Sequence, residues 1–274
     1  MSKPRIAIPI PTSFDPDYNE RSWPQYAKAV ERSGGEPVAV PLEDAAKAAE
    51  LVKSCEGVLL PGSGADVDPA KFGQERDQNA ANPDPAREQV DSLLLATAEQ
   101  QSKPVLAICF GAQMLNVWRG GSLVQHLAEE PVRHRQKGVP EAHLADVAPG
   151  SLLASAAGLD GAGANGSASS ETAKAGQVFH VEHSTGSGKQ IAVNSSHHQS
   201  IASPGKGLRV VAKSPEDGVV EAVEGTSGNQ FLLGVQWHPE RTYDESRESK
   251  AIFDRFIAEA AGRRSGSTVP QSGS

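Results

Sequence analysis

The chain has 274 residues, 26 Lys+Arg against 34 Asp+Glu for a formal net charge of −8, and two cysteines, Cys55 and Cys109. That length can bury a sizeable core in one large domain or two small ones. The acidic balance disfavours a nucleic-acid partner, and no apolar run approaches the ~20 residues of a transmembrane helix. The first residues lack a signal peptide's long apolar stretch, and two thiols in a chain of this length fit a reducing, cytoplasmic setting.

In chain order, "RIAIPI" reads as a strand. "NERSWPQYAKAVERSGG" reads as a helix with Trp23, Tyr26, Ala27 and Val30 on one face and Gly34–Gly35 as its stop. "EPVAVPL" is a strand, "EDAAKAAELVKSC" a helix and "GVLLPG" a strand. "DPAREQVDSLLLATAEQQ" is a long helix with Asp84 as N-cap and Pro85 in its first position. "PVLAIC" is a fourth strand. Strands this continuously apolar belong to a parallel sheet covered on both faces, and the alternation with helices predicts an α/β sandwich. Later, "GLRVVAKS", "VVEAVEG" and "FLLGVQW" read as strands with short connections, and "ESKAIFDRFIAEAAG" as a closing helix. The Gly-, Ser- and Ala-rich stretch 158–190 reads as a flexible insertion, with "VFHVEH" inside it as a candidate hairpin strand. Residues 263–274 read as a disordered tail. The expectation is a single domain over 1–262.

Residues 107–111, Ala-Ile-Cys-Phe-Gly, are a cysteine version of the small-x-nucleophile-x-Gly turn between a strand and a helix. A sharp turn lifts the side chain clear of the sheet, and small residues at 107 and 111 let the two backbones pass closely. A helix starting there aims N–H groups at the sulfur and favours the nucleophilic thiolate. The Phe110 N–H is then placed to donate to an oxyanion. A buried core cysteine ending a strand is the competing reading.

A cysteine nucleophile needs a base, usually a histidine oriented by a carboxylate or amide. "GVQWHPE" supplies His238 at the end of an apolar strand, Pro239 to hold it extended, and Glu240 two residues on, facing the same side. "GVLLPGSGADVDPAKFG" opens a strand into Pro-Gly-Ser-Gly, a shape for an oxyanion hole. No GxxxxGK[ST] is present and no GxGxxG opens a helix, so a nucleotide site has little support. His126, His134, His143, His180 and His183 show no metal-ligand spacing, and no metal is expected.

With these elements in order the sequence resembles the class I glutamine amidotransferase superfamily, and within it the free-standing γ-glutamyl-γ-aminobutyrate hydrolase (peptidase C26) branch. The motifs that carry the resemblance are "LLPGSGADVDPAKFG", "PVLAICFGAQMLNVWRGGSLVQHL", "VNSSHHQSI" and "GVQWHPE". It implies a flavodoxin-like three-layer α/β sandwich with a mostly parallel central sheet and an additional small antiparallel β region. It also implies a Cys109 nucleophile, His238 as base and then acid, and Glu240 as its orienting partner. Gly62, Ser63 and Phe110 would form the oxyanion hole, and Gln113, Ser196, His197, His198 and Gln199 would line a γ-glutamyl pocket.

The implied reaction is thioester-mediated hydrolysis of a γ-glutamyl amine with release of glutamate and no cofactor. The implied partner is a small-molecule γ-glutamyl substrate, with no nucleic acid and no membrane; a homo-oligomer stays open. Alternatives are a glutaminase subunit serving a separate synthase, a folate poly-γ-glutamate hydrolase, and a non-catalytic binding relative. The chain departs from close hydrolase relatives at Ala107, where Gly is usual, and at Phe110, where Arg is usual. Phe110 is expected to change the pocket wall beside the nucleophile.

Overall fold

A computed structural model describes residues 2–159, 189–228 and 230–266. The stretch of the expected hairpin, with His180 and His183, lies outside the described residues, as does 267–274.

The first half of the chain follows its local signals. β1 (Arg5–Pro9), β2 (Glu36–Val40), β3 (Gly57–Leu60) and β4 (Val105–Ile108) alternate with α1 (Pro16–Arg32), α2 (Ala45–Lys53) and α3 (Pro85–Gln100). An aspartate caps each helix: Asp15, Asp44 and Asp84 accept from the backbone N–H of Tyr18, Lys47 and Arg87. α4 (Phe110–Trp118) leaves β4 directly, and β5 (Ser122–Val124) follows.

The second half is mainly β: β6 (His143–Val147), β7 (Lys189–Val193), β8 (Ser200–Ser203), β9 (Leu208–Lys213), β10 (Val220–Gly225) and β11 (Leu232–Val235). Two helices interrupt and close it, the short α5 (Leu152–Ala156) and α6 (Arg247–Gly266). α6 runs through residues 263–266, which the sequence assigned to the tail; Phe253, Phe256 and Ile257 anchor it upstream.

All strands join one sheet in the order β2-β1-β3-β4-β11-β10-β9-β6-β7, with β8 pairing β10 and β5 pairing β8. From β2 to β11 the pairings are parallel. From β11 to β7 they are antiparallel. The α/β sandwich with a parallel centre is present, and the antiparallel strands extend that same sheet.

Each parallel strand sends alternate residues to opposite layers. Ile6, Ile8, Leu59, Leu106 and Ile108 pack with α1, α5 and α6. Ala7, Val58, Leu60, Val105 and Ala107 pack with α2, α3 and α4. Helices on both faces explain why these strands are apolar throughout. Among the described residues no helix is long and apolar enough to cross a membrane.

Candidate active site

Cys109 sits between the end of β4 and the start of α4, with φ 51° and ψ −109°. A side chain in that region costs about 1–3 kcal/mol and persists only where its surroundings enforce it. The enforcing contacts are on the backbone: Cys109 N–H donates to Val235 O at 2.8 Å, and Cys109 O accepts from Gln113 N–H at 3.1 Å. Gly111 permits the turn. A β-carbon there would lie 2.3 Å from Leu60 O, so only glycine lets α4 pass across the end of β3. Both cysteines are free thiols and buried.

His238 reaches Cys109 from the neighbouring strand. β11 pairs with β4 in parallel, Val235 opposite Ile108, so the chain leaving β11 emerges beside the nucleophile. The sequence predicts an extended continuation, but the chain turns instead. The strand ends at Val235, and Arg241 N–H donates to His238 O at 3.1 Å, closing a turn with Pro239 in its second position. That turn carries Glu240 back, and Glu240 Oε1 lies 2.7 Å from His238 Nδ1. Nδ1 thus faces the carboxylate, and the ring lies close enough to the Cys109 sulfur to feel its charge. His238 and Glu240 are 2% and 7% exposed, so the pair is shielded from solvent. Burial alone would disfavour the imidazolium, but the Glu240 carboxylate and the Cys109 sulfur outweigh it and raise the His238 pKa to about 9.

Three residues that the sequence reading passed over position this pair. Asn194 accepts from His238 N–H at 2.9 Å and donates to His238 O at 2.7 Å, holding the backbone on both sides of the ring. Tyr26, expected only as an apolar helix-face residue, places its hydroxyl 3.4 Å from His238 Nδ1. Arg87 is fully buried and donates to Asp91 at 2.8 Å, to Pro11 O at 2.6 Å and to Pro61 O at 2.7 Å. The last bond fixes the carbonyl preceding Gly62. A signal for Asn194 lay in the quoted "VNSSHHQSI"; Arg87 and Tyr26 read as ordinary helix residues.

The predicted oxyanion residues are close to the sulfur. Gly62 is wedged into the site, where a β-carbon would meet His238 Cε1 at 2.8 Å and Cys109 Cβ at 3.6 Å. Its N–H donates to the Tyr26 hydroxyl at 3.0 Å. The Ser63 hydroxyl accepts from Ala65 N–H at 3.1 Å. Phe110 begins α4, where a first-turn N–H has no partner within the helix. The Phe110 ring, expected beside the nucleophile, is turned into the core. It is 1% exposed, packs in the layer with α2 and α3, and lies 5.0 Å from the Arg87 guanidinium.

The predicted substrate-binding residues separate into different places. Gln113 is buried and donates to Gln199 O at 3.1 Å and Gln236 Oε1 at 3.2 Å, while Gln236 Nε2 lies 3.6 Å from Cys109 Sγ. Gln113 therefore sets the orientation of Gln236, a residue the sequence reading did not single out. Ser196 is half-buried and bridges Arg135 across a short antiparallel contact. His198 faces Asp66 at 3.1 Å and His126 at 3.4 Å. His197 points the other way, toward buried Glu221. His134 and His143, which the sequence reading found without metal spacing, converge with His197 on the same carboxylate. Spacing along the chain hid this because the four residues lie on four separate segments.

The Peptidase C26 family model matches residues 12–240, from the loop before α1 through Glu240. Gamma-glutamyl-gamma-aminobutyrate hydrolase PuuD of Escherichia coli K12 is 32% identical over 246 residues, covering 85% of this chain and 84% of its own. Protein NtpR of Enterococcus hirae is 28% identical over 242 residues, covering 85% and 87%. Among solved structures, a candidate GMP synthase component from Thermoplasma acidophilum aligns with TM-score 0.62 at 14% identity over 98% of this chain and all of its own. Since the match spans both the cysteine elbow and the His-Pro-Glu turn, the chain belongs to the peptidase C26 family.

Proposed function

We propose that this protein is a cysteine-dependent hydrolase of γ-glutamyl amides. The observation that carries the reading is the meeting of a cysteine at positive φ with a histidine whose other ring nitrogen is held by a buried carboxylate. A buried structural cysteine needs neither the strained backbone nor the polarised partner. The family relationship supports hydrolysis, and the E. coli relative's named substrate class supplies the γ-glutamyl amide.

In the proposed reaction the Cys109 thiolate attacks the γ-carbonyl carbon, and the carbonyl electron pair moves to oxygen. The Phe110 N–H and the N–H groups of the Pro61–Gly62–Ser63 loop stabilise that oxyanion; Gly62 joins only by giving up Tyr26. Collapse re-forms the carbonyl and breaks the C–N bond, with the leaving amine taking its proton from His238. Water then attacks the thioester while His238 takes one of its protons, the C–S bond breaks, and glutamate leaves with the thiolate regenerated. Each proton passes between His238, the amine and water, so the scheme calls for no cofactor.

The test is glutamate release from a panel: γ-glutamyl-γ-aminobutyrate, other γ-glutamyl amines, a folyl polyglutamate and free glutamine, with Cys109→Ala alongside. Cys109-dependent release from γ-glutamyl amines is the expected result. Release from glutamine alone would replace the reading with a glutaminase.

A further inference from the structure

Behind the catalytic residues, three imidazoles and one carboxylate converge from separate segments. His134 lies in the loop after β5, His143 opens β6, His197 lies between β7 and β8, and Glu221 lies on β10. One ligand-type atom from each falls within 4.8 Å of the others. Glu221 is fully buried, and His134 and His197 are 3% and 4% exposed.

The hydrogen bonds assign the lone pairs. His134 Nε2–H donates to Asp217 Oδ2 at 2.9 Å. His143 Nδ1–H donates to Leu144 O at 3.0 Å, and His197 Nδ1–H donates to Gln199 O at 2.9 Å. With its proton committed to an outer acceptor, each ring turns its unprotonated nitrogen to the centre. Both Glu221 oxygens, His143 Nε2 and His197 Nε2 are buried without a hydrogen-bond partner. The fourth inward atom, His134 Nδ1, has only the Ser195 hydroxyl at 3.4 Å, and that hydroxyl also donates to His134 O at 2.9 Å. Left so, each unpaired buried polar group costs about 1–3 kcal/mol, and more where it is charged.

The spacing distinguishes an ion from a set of hydrogen bonds. Glu221 Oε1 lies 3.4 Å from His143 Nε2, 3.5 Å from His134 Nδ1 and 3.8 Å from His197 Nε2. These exceed the 2.7–3.2 Å of N–H···O bonds. They approach the ~3.3–3.4 Å edge of a tetrahedron whose metal–ligand bonds are ~2.0–2.1 Å, and the group as a whole, within 4.8 Å, would have to draw in around an ion. Outer bonds from the ligand imidazoles to a carboxylate and to backbone carbonyls are the usual way of fixing metal-binding histidines. The charges also balance, since Glu221 and Asp217 together offset a divalent cation.

We propose that His134, His143, His197 and Glu221 form a closed, four-coordinate site for a divalent transition-metal ion, with zinc the best fit to three nitrogens and one oxygen. With all four positions filled by protein, the ion ties the β5–β6 loop and the loop after β7 to the antiparallel half of the sheet. The site also adjoins the nucleophile, because the Gln199 carbonyl that holds His197 accepts from Gln113, which orients Gln236 against Cys109.

The test uses chelator-stripped Cys109→Ala protein, so that the catalytic thiol cannot act as a ligand and turnover plays no part. Zinc is titrated calorimetrically, and cobalt is followed by visible absorption. The expected result is one ion per chain, submicromolar affinity, an intense four-coordinate cobalt spectrum, and a melting temperature ~5–10 °C higher at a hundredfold excess of zinc over Kd. Glu221→Gln and His143→Ala, each added to that background, should weaken binding beyond the ~10–100-fold that outer bonds are worth. The absence of saturable zinc or cobalt binding in the Cys109→Ala protein itself overturns the proposal, whatever the folding of the cluster variants. Binding that survives both cluster substitutions overturns it too.

Discussion

Glu240 Oε1 and His238 Nδ1 lie 2.7 Å apart across a turn whose second residue is Pro239. The carboxylate is buried with its imidazole, so their attraction is little screened by water. This contact sets the protonation of the proposed site.

Burial lowers the affinity of His238 for a proton, yet Glu240 and then Cys109 reverse that and hold its pKa at about 9. A pKa raised above the unfolded value of ~6.5 stabilises the fold fully below that value, and the contribution disappears as pH rises through about 9. Thermal stability should therefore fall between those limits, and kcat/KM should decline above pH about 9 as the imidazolium is lost. Glu240→Gln should move the alkaline limb of the pH–rate profile to lower pH. A limb that stays in place would separate Glu240 from the chemistry.

Cys109→Ala should lower γ-glutamyl hydrolysis at least ~10⁴-fold, the scale seen when a nucleophile is deleted. Cys109→Gly should be equally inactive yet about 1 kcal/mol more stable than Cys109→Ala, because glycine alone adopts φ 51° without strain. Melting curves of the two variants compare this directly; the opposite order would mean that the elbow stores no strain.

Arg87→Met should destabilise the protein by about 3–5 kcal/mol, since it leaves the buried Asp91 carboxylate alone. Adding Asp91→Leu should recover most of that stability. Activity should stay low in the double variant, because the Pro61 carbonyl beside the proposed oxyanion loop has lost its donor. Denaturant melts and turnover measured on both variants separate the two effects.

Asn194→Ala removes both backbone bonds that flank the His238 ring. The expected outcome is a ~10–100-fold loss in kcat with a smaller change in KM, as for a small displacement of a reacting group. Unfolding should cost about 1–3 kcal/mol less for each buried group left unpaired. A KM effect alone would instead place Asn194 in substrate binding.

The chain up to α4 was legible because its signals are local. Apolar runs, aspartate caps and Pro85 each act over a few residues, and the observed elements follow them. The second half was less legible. β6 and β7 show half-exposed, alternating burial, and β5 spans only Ser122–Val124, so neither offered an apolar run. Their pairing comes from neighbours distant in the chain. The same limit hid Arg87 and Tyr26, whose polar ends matter because of what the sheet brings to them.

By itself the sequence determined the strand–helix order up to α4, the elbow at Cys109 and the His238–Glu240 couple, since each rests on short stretches whose residue types carry the signal. Only the tertiary structure decided which groups meet. Parallel pairing of β4 with β11 sets His238 beside Cys109, and the fold of the antiparallel half gathers His134, His143 and His197 around Glu221. It also buries the Phe110 ring in the layer with α2 and α3 and commits the Gly62 N–H to Tyr26. Local patterns fix backbone direction over a few residues, whereas these contacts depend on sheet register and on the desolvation that packing imposes.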